Sequence, residues 1–352
     1  MRPVAKSVPL LSCDVPVSLD EKICFLSAPE IFGKRTKSIE VMQTHHAWLF
    51  FTDRLVFKMK KPFKHGRIDY STLEARRHMC NEEYRLNRRL AKHTYLGVVP
   101  LIVNRVGHLE IDGEGRAVEW LVKMRRLPQM QMLHIAAARG LVCEHDIHTL
   151  MQKLLRFYRQ APVIRFAESA YTALLRERLD ELRHELLRPR FRLAPKLVHD
   201  VTERQFAYID DRAQLLEQRQ HDGHVREIHG DLRPEHVCFL AGAEPEIIDC
   251  LEFDPELRRL DCIEELAFFG MECRHLGLSW IEQQCIDHYR TDSGDPDFHL
   301  HLWHFYAALR ATMRAVLSVW HLLDSKAVSI WTSMATDYLR DTRHYIGLAG
   351  IK

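Results

Sequence analysis

Residues 228–261 constrain this chain more than any other stretch. They read IHGDLRPEHVCFLAGAEPEIIDCLEFDPELRRLD. Two short apolar runs, 237–240 and 246–248, flank the turn Ala241-Gly242-Ala243, with Asp231 before the first run and Asp249 after the second. Runs of this length bounded by turn residues predict two hairpin strands. A hairpin returns the chain on itself, so both aspartates are expected at one site. Two carboxylates held together need a cation or a proton between them. A divalent metal beside a His-Gly-Asp turn in turn suggests phosphate. The plainer alternative is a short turn with two aspartates capping elements.

Upstream, Val56-Phe57-Lys58-Met59-Lys60 alternates with period two. Phe57 and Met59 share one strand face; Val56, Lys58 and Lys60 share the other. That lysine face must meet an anion or solvent, and an edge strand with gatekeeper lysines is the simpler reading. Strands are expected at 38–42, 47–51, 55–59, 98–103, 109–111 and 117–124. A short helix is expected at 19–26. Ser71-Thr72-Leu73-Glu74 has the form of a capping box, opening a helix to about residue 90. Glu83 lies at the edge of that helix's apolar stripe, Met79, Leu86 and Leu90, and Glu82 is its rival.

From residue 130 to 222 the pattern is helical, with helices expected over 144–160, 167–187 and 195–219 and breaks at prolines. Another helix opens after Asp261, an expected N-cap, and the last 55 residues read as long helices. In these, Arg310 and Arg314 are spaced to reach carboxylates. Residues 1–18 are Pro-rich and aperiodic and read as an arm.

Composition excludes several classes. Charged residues make up 28% and hydrophobic residues 46% of the 352 residues, and net charge is +2. No strong field points to nucleic acid. No apolar run approaches ~20 residues and no signal-peptide core is present, so no membrane association is expected. The nine cysteines contain no C-x-x-C pair. A reduced, cytoplasmic protein is expected. The 22 histidines scatter along the chain.

His229-Gly230-Asp231 followed by Ile247-Ile248-Asp249 resembles the catalytic loop and metal-binding aspartate of the kinase-like fold, and most closely the aminoglycoside phosphotransferase family of small-molecule kinases. The resemblance implies an α+β, two-lobed, protein-kinase-like fold. A small antiparallel five-strand N-lobe (1–126) would bind nucleotide, and a large, mainly helical C-lobe (127–352) would carry the catalytic loop and acceptor site. It implies ATP and Mg²⁺ between the lobes, Lys58 or its rival Lys60 on the phosphates, and Glu83 orienting the lysine. Lys123, Met124 and Arg125 mark the hinge zone that reads adenine. Asp249 holds the metal, Asp231 is the base, His229 supports the loop, and Asp261 buttresses it.

Residues 67–101 resemble an uncharacterised branch of the family whose members are sometimes fused to a P-loop kinase-like ATPase. No G-x-x-x-x-G-K-[ST] occurs here, so that partner domain is not expected in this chain.

Two departures stand out. The family pattern HGDLHxxN carries a metal-ligating Asn, where this chain has His236; it stands as the second metal candidate, though a poor magnesium ligand, or contacts phosphate instead. Arg233 replaces the usual His and could stabilise transferred phosphate or pair with Glu235 or Glu252. The first strand turn, Gln43-Thr44-His45-His46, lacks glycine, so Thr44, His45 or His46 could replace backbone contacts to nucleotide.

The reading is an ATP-dependent phosphotransferase acting on a hydroxyl of a small molecule. Glu252, Asp254, Glu264 and Glu265 hint at a cationic or polyhydroxy acceptor. The alternative is a pseudokinase-type nucleotide-binding or scaffold protein. A protein kinase (no DFG is present and no APE follows Asp249) and a metal hydrolase built on His221, His224, His229 and His236 are further readings.

Overall fold

The computed structural model describes residues 16–34, 36–66, 68–323 and 328–350. The chain groups into two units, Met1–Gln131 with Glu246–Pro255, and Met132–Pro245 with Glu256–Lys352. Most of the expected N-terminal arm lies outside the described residues. The expected division after residue 126 differs from this grouping by five residues at the first boundary and in the returning segment Glu246–Pro255. That segment belongs with the first unit because its polar groups are satisfied there. Thr94 donates to Glu246 through its amide (3.2 Å) and hydroxyl (2.8 Å), and the Cys250 amide donates to Asn87 Oδ1 (2.9 Å). Buried backbone groups left unpaired would be costly, so these contacts fix the path of the segment.

The first unit opens with α1 (Leu19–Leu26), as expected, closed at its N-terminus by a Ser18–Glu21 capping box. Then come β1 (Glu40–Gln43), β2 (Ala47–Phe51) and β3 (Leu55–Lys60), and a small hairpin, β4 (Lys64–His65) and β5 (Ile68–Asp69). After these come α2 (Leu73–Asn87), β6 (Tyr95–Val103), β7 (Leu109–Ile111) and β8 (Arg116–Arg125). The sheet is antiparallel, in the order β1-β2-β3-β8-β6-β7. Its six strands correspond to the six expected from the sequence pattern, one more than the five-strand lobe that the resemblance implies.

The α2 N-cap is Thr72, whose hydroxyl accepts from the Ala75 amide; Ser71 instead bonds to Asp69. The helix ends at Asn87, short of the expected 90; beyond it the Arg89 and Leu90 amides donate three residues back, to the Leu86 and Asn87 carbonyls, and the Asn87 side chain serves the Cys250 amide.

Period two sorts the β3 side chains as expected. Phe57 and Met59 pack with Phe50, Leu101, Val103 and Leu121 on one face. Val56 packs with Cys80, Tyr95, Val122 and Met124 on the face that α2 covers. Lys58 and Lys60 therefore enter the layer beneath α2, where only an acid can neutralise them. Arg76 of α2 makes a two-pronged contact with buried Glu119 of β8 (2.8 and 2.9 Å), and Lys22 of α1 joins at 2.9 Å. This ties both helices to the sheet with paired charges.

The second unit is mainly helical: α3 (Leu133–Ala138), α4 (Glu144–Gln160), α5 (Ala170–Leu186), α6 (Pro195–Asp211) and α7 (Ala213–His221), followed later by α8 (Cys262–His275), α9 (Ser279–Asp292), α10 (Leu300–Trp320) and α11 (Val328–Leu348). The helix expected over 195–219 is two, broken at Arg212. Four short strands follow α7 in chain order, β9 (Val225–Glu227), β10 (Val237–Cys238), β11 (Glu246–Ile247) and β12 (Arg259–Asp261), of which β11 belongs to the first unit. The two runs of the organising stretch thus form shorter strands than expected. β9 and β12 pair antiparallel and carry the chain into Asp261, which caps α8 through the Ile263 amide (2.9 Å). Among the described residues no helix is long and apolar enough to cross a membrane, and no disulfide joins the eight described cysteines.

Candidate active site

The first unit builds a chain of alternating charges. Glu83, fully buried on α2, lies between both strand lysines. Its Oε2 accepts from Lys60 Nζ at 2.6 Å, and its Oε1 lies 2.9 Å from Lys58 Nζ, off-line for a hydrogen bond but well within ion-pair range. Lys58 continues to Asp249 Oδ1 at 2.9 Å. Lys60 continues to Glu252, which also accepts from the Tyr70 hydroxyl at 2.8 Å. Burial alone would lower both ammonium groups. The neighbouring carboxylates outweigh it and raise both, Lys58 through Asp249 and Glu83, and Lys60 through Glu252 and Glu83.

The geometry separates the rivals. Glu82 is on the outer side of α2, pairing with Arg85 at 2.7 Å. The Lys60 side chain is 2% exposed and shut in by acids, whereas Lys58 adjoins Asp249, whose side chain is 49% exposed. Asp249 sits at φ +66°, a left-handed conformation that costs a non-glycine residue on the order of 1 kcal/mol. The surrounding contacts hold it there, with the Asp249 amide donating to the Tyr95 hydroxyl (3.3 Å).

The zone Lys123, Met124 and Arg125 is the end of β8, an interior strand. These residues pair with Phe57, Val56 and Leu55 on one side, and Lys123 and Met124 with Gly97 and Tyr95 on the other. The Arg125 amide donates to the Thr94 carbonyl (2.8 Å). The sheet therefore uses this backbone, and the chain leaves the strand only after Arg125. In the first turn, Thr44 bonds to Ala47, and His46 stacks on Phe63 at 5.1 Å and meets Tyr70 and Phe253 edge-on.

The second unit builds the His-Gly-Asp loop. Gly230 adopts φ +88°, a conformation suited to glycine, which lets the chain reverse before Asp231. Glu265 of α8, completely buried, accepts from the Gly230 amide (2.5 Å), the His229 amide (3.4 Å) and the Tyr158 hydroxyl (3.1 Å). His229 is also fully buried, and its Nδ1 accepts from the Asp231 amide (3.3 Å). That burial removes the support for a metal hydrolase built on His229.

Arg233 Nε donates to Asp231 Oδ2 (3.1 Å), and Arg233 also pairs with Glu235, one of its two expected partners. His236 has both ring nitrogens engaged. Nδ1 donates to the Asp231 carbonyl (2.7 Å), and Nε2 faces Arg233 Nη2 (3.1 Å). Burial would raise the Asp231 carboxyl, but its neighbours outweigh it, the Arg233 guanidinium above all. The group lies below the ordinary carboxylate range.

Sequence reasoning missed Glu265 as the brace of the loop and assigned that role to Asp261. Asp261 instead binds buried Arg219 (2.5 and 3.0 Å) as well as capping α8. The signal available was two adjacent acids, Glu264 and Glu265, inside a helix that is buried nearly all round. Three of the four acids that hinted at a cationic acceptor are used internally. Glu252 serves Lys60 and Tyr70, Glu264 lies 2.8 Å from Arg310 Nε, and Glu265 holds the loop. The expected reach of Arg310 and Arg314 holds, the latter meeting Glu272 at 3.1 Å.

Burial pushes Glu265 up to about 7, against the pull of its three donors. The native state therefore favours its protonated form. That stabilisation is complete below the ordinary value near 4.5 and is lost as pH rises through about 7. We expect wild type to lose about 3 kcal/mol of stability relative to Glu265→Gln between pH 4.5 and pH 8. Denaturant titrations of both proteins across that range check this, and parallel stability curves would contradict it.

No family model matches the chain. Uncharacterised proteins of Mycobacterium tuberculosis and Mycobacterium bovis are 33% identical over 287 residues, 79% of this chain and 54% of theirs. The chain thus spans about half the length of these curated relatives. Among solved structures, a choline/ethanolamine kinase family protein from Mesorhizobium loti superposes with a TM-score of 0.57 at 13% identity, covering 93% of this chain and 94% of that one. The GDP complex of an aminoglycoside 2'-phosphotransferase IIIa mutant superposes at 0.53 and 14% identity, covering 94% and 99%. The fold is kinase-like. In the kinase-like fold, an antiparallel sheet unit and a mainly helical unit are what the resemblance of the HGD and IID motifs implied. LicA in complex with AMP, at 0.50 and 15% identity over 92% of this chain and 96% of that one, shares it.

Proposed function

We propose that the protein is an ATP- and Mg²⁺-dependent phosphotransferase acting on a hydroxyl of a small molecule. The observation that carries this is the chain Glu83–Lys58–Asp249, a buried acid presenting a lysine to a half-exposed carboxylate in a strained backbone position. Lysine and carboxylate in that order match what phosphate and its metal require.

Asp249 offers hard oxygen, which suits Mg²⁺, an ion commonly held by one or two carboxylates and the substrate's own phosphates. His236 does not fit as a second ligand: its donors are nitrogen, and both are engaged within the loop. Bound magnesium would neutralise charge on the phosphate oxygens.

The protein's own residues divide the remaining work. Lys58 donates to phosphate oxygens, and Glu83 keeps its ammonium charged and aimed. Asp231 accepts a hydrogen bond from the acceptor hydroxyl and takes its proton as the new oxygen–phosphorus bond forms and the bond from the γ-phosphorus to the bridging oxygen breaks, releasing ADP. A carboxylate held below its ordinary range is a weak base, so orientation precedes a late proton transfer. Arg233 fixes one carboxylate oxygen, and Glu265 fixes the loop beneath it. Adenine is read by backbone beyond Arg125, where the strand ends. With Glu252, Glu264 and Glu265 engaged internally, acceptor charge rests on other groups, and a polyhydroxy acceptor remains the better match.

The second reading, a nucleotide-binding protein without turnover, is favoured by His236, which replaces a metal-ligating Asn and staples Asp231 to Arg233. Thermal unfolding separates these readings from the absence of a nucleotide site. ATP with Mg²⁺ at ~100 times its dissociation constant should stabilise wild type by ~2.7 kcal/mol, and Asp249→Ala should abolish the magnesium-dependent part. No shift in wild type would overturn both readings. A shift without ADP release on any acceptor would leave the second.

A further inference from the structure

The phosphotransfer reading uses few of the 22 histidines. Two others, in the second unit, converge on one carboxylate. His148 lies on α4, and His288 and Asp292 lie one turn apart on α9. One ligand-capable atom from each of the three lies within 4.8 Å of the other two. His288 Nδ1 is 3.0 Å from Asp292 Oδ2, and the His148 and His288 ring centroids are 4.8 Å apart. The rings are tilted by 52°, so this is not a stacked pair.

Both outer ligands have supporting contacts. The Gln152 side-chain amide lies 2.8 Å from His148 Nε2, one turn along α4; turned so that its oxygen accepts from Nε2–H, it leaves the other ring nitrogen of His148 for a metal, and the Thr291 hydroxyl donates to the other oxygen of Asp292 (2.8 Å). Hydrogen bonds of this kind orient imidazole and carboxylate ligands around a metal. Two imidazoles so close would repel if both were protonated. Neutral, they are the commonest nitrogen donors for late divalent metals.

We propose that His148, His288 and Asp292 form a binding site for a borderline divalent cation, zinc or a close analogue, that staples α4 to α9. The donor set of two nitrogens and one oxygen selects zinc, cobalt or nickel over magnesium and calcium, which want oxygen. Tetrahedral bonds of ~2.0–2.1 Å place ligand atoms ~3.4 Å apart. Side-chain rotations that bring the most distant pair in by up to ~1.4 Å would therefore complete the site. The His288–Asp292 pair, hydrogen-bonded at 3.0 Å, would open by a few tenths of an ångström as the metal replaces the shared proton. Three protein ligands leave a fourth position to water. The site shares no residue with the proposed phosphotransfer machinery, so either can stand without the other.

The test is titration of metal-free full-length protein with Zn²⁺ by calorimetry and with Co²⁺ by visible absorption. It compares wild type with His148→Gln, His288→Asn and the control His108→Ala. We expect one equivalent bound by wild type and the control, visible Co²⁺ bands of a low-coordinate nitrogen–oxygen site, and a raised unfolding midpoint that a chelator reverses. His148→Gln and His288→Asn should each lose that equivalent and the midpoint shift while unfolding cooperatively without metal. No bound equivalent in wild type, or its retention in either variant, would overturn the site.

Discussion

Asp231→Asn is expected to lower kcat by about 10²–10⁴-fold, the range for loss of a positioned general base. The magnesium-dependent stabilisation by ATP should persist. The reason is structural. Asp231 lies in the second unit with Arg233, His229 and Glu265, whereas Lys58, Glu83 and Asp249 all belong to the first. Asparagine keeps the size of the side chain and can still accept from Arg233, so the loop should survive. Steady-state ADP release, measured on the acceptor a screen provides, checks the rate, and thermal shift checks the binding. Activity within about tenfold of wild type would remove Asp231 from the base role.

Glu83→Gln is expected to cost about 3 kcal/mol of stability even without ligand, within the range for breaking a buried ion pair. Glu83 is fully buried, and two lysines converge on it, with Lys60 almost completely enclosed. The substitution leaves two positive charges close together with only Glu252 and Asp249 to balance them, and Asp249 is half exposed. Urea denaturation of the variant measures the loss. A double-mutant cycle with Lys60→Met isolates the Glu83–Lys60 part. A loss under 1 kcal/mol would mean that the remaining carboxylates suffice, and that Glu83 aims the lysines without stabilising the fold.

Local chemistry was legible in the sequence where a pattern has one physical solution. Alternation placed Lys58 and Lys60 together on the face opposite Phe57 and Met59, and the structure keeps that sorting. The boundaries of α1 and α4 followed from periodicity and end signals alone. The strands of the organising stretch were overestimated because apolar runs do not mark where hydrogen bonding stops.

Contacts distant in sequence were not legible. Glu265 reaches back to Gly230, and Glu252 reaches Lys60, across intervals that no spacing rule covers. The same holds for Thr94 and Asn87, which clip the returning segment to the first unit.

By itself, then, the sequence determined the elements, the sorting of side chains to strand and helix faces, and the short motifs around Asp231 and Asp249. These depend on backbone period and on near neighbours. Tertiary structure alone decided which acid answers which base. It paired both strand lysines with Glu83, used three of the acids that resembled an acceptor surface inside the fold, and turned His236 into a staple between Asp231 and Arg233. Burial makes every such charge require a partner, and only the packed chain determines which partner lies within reach.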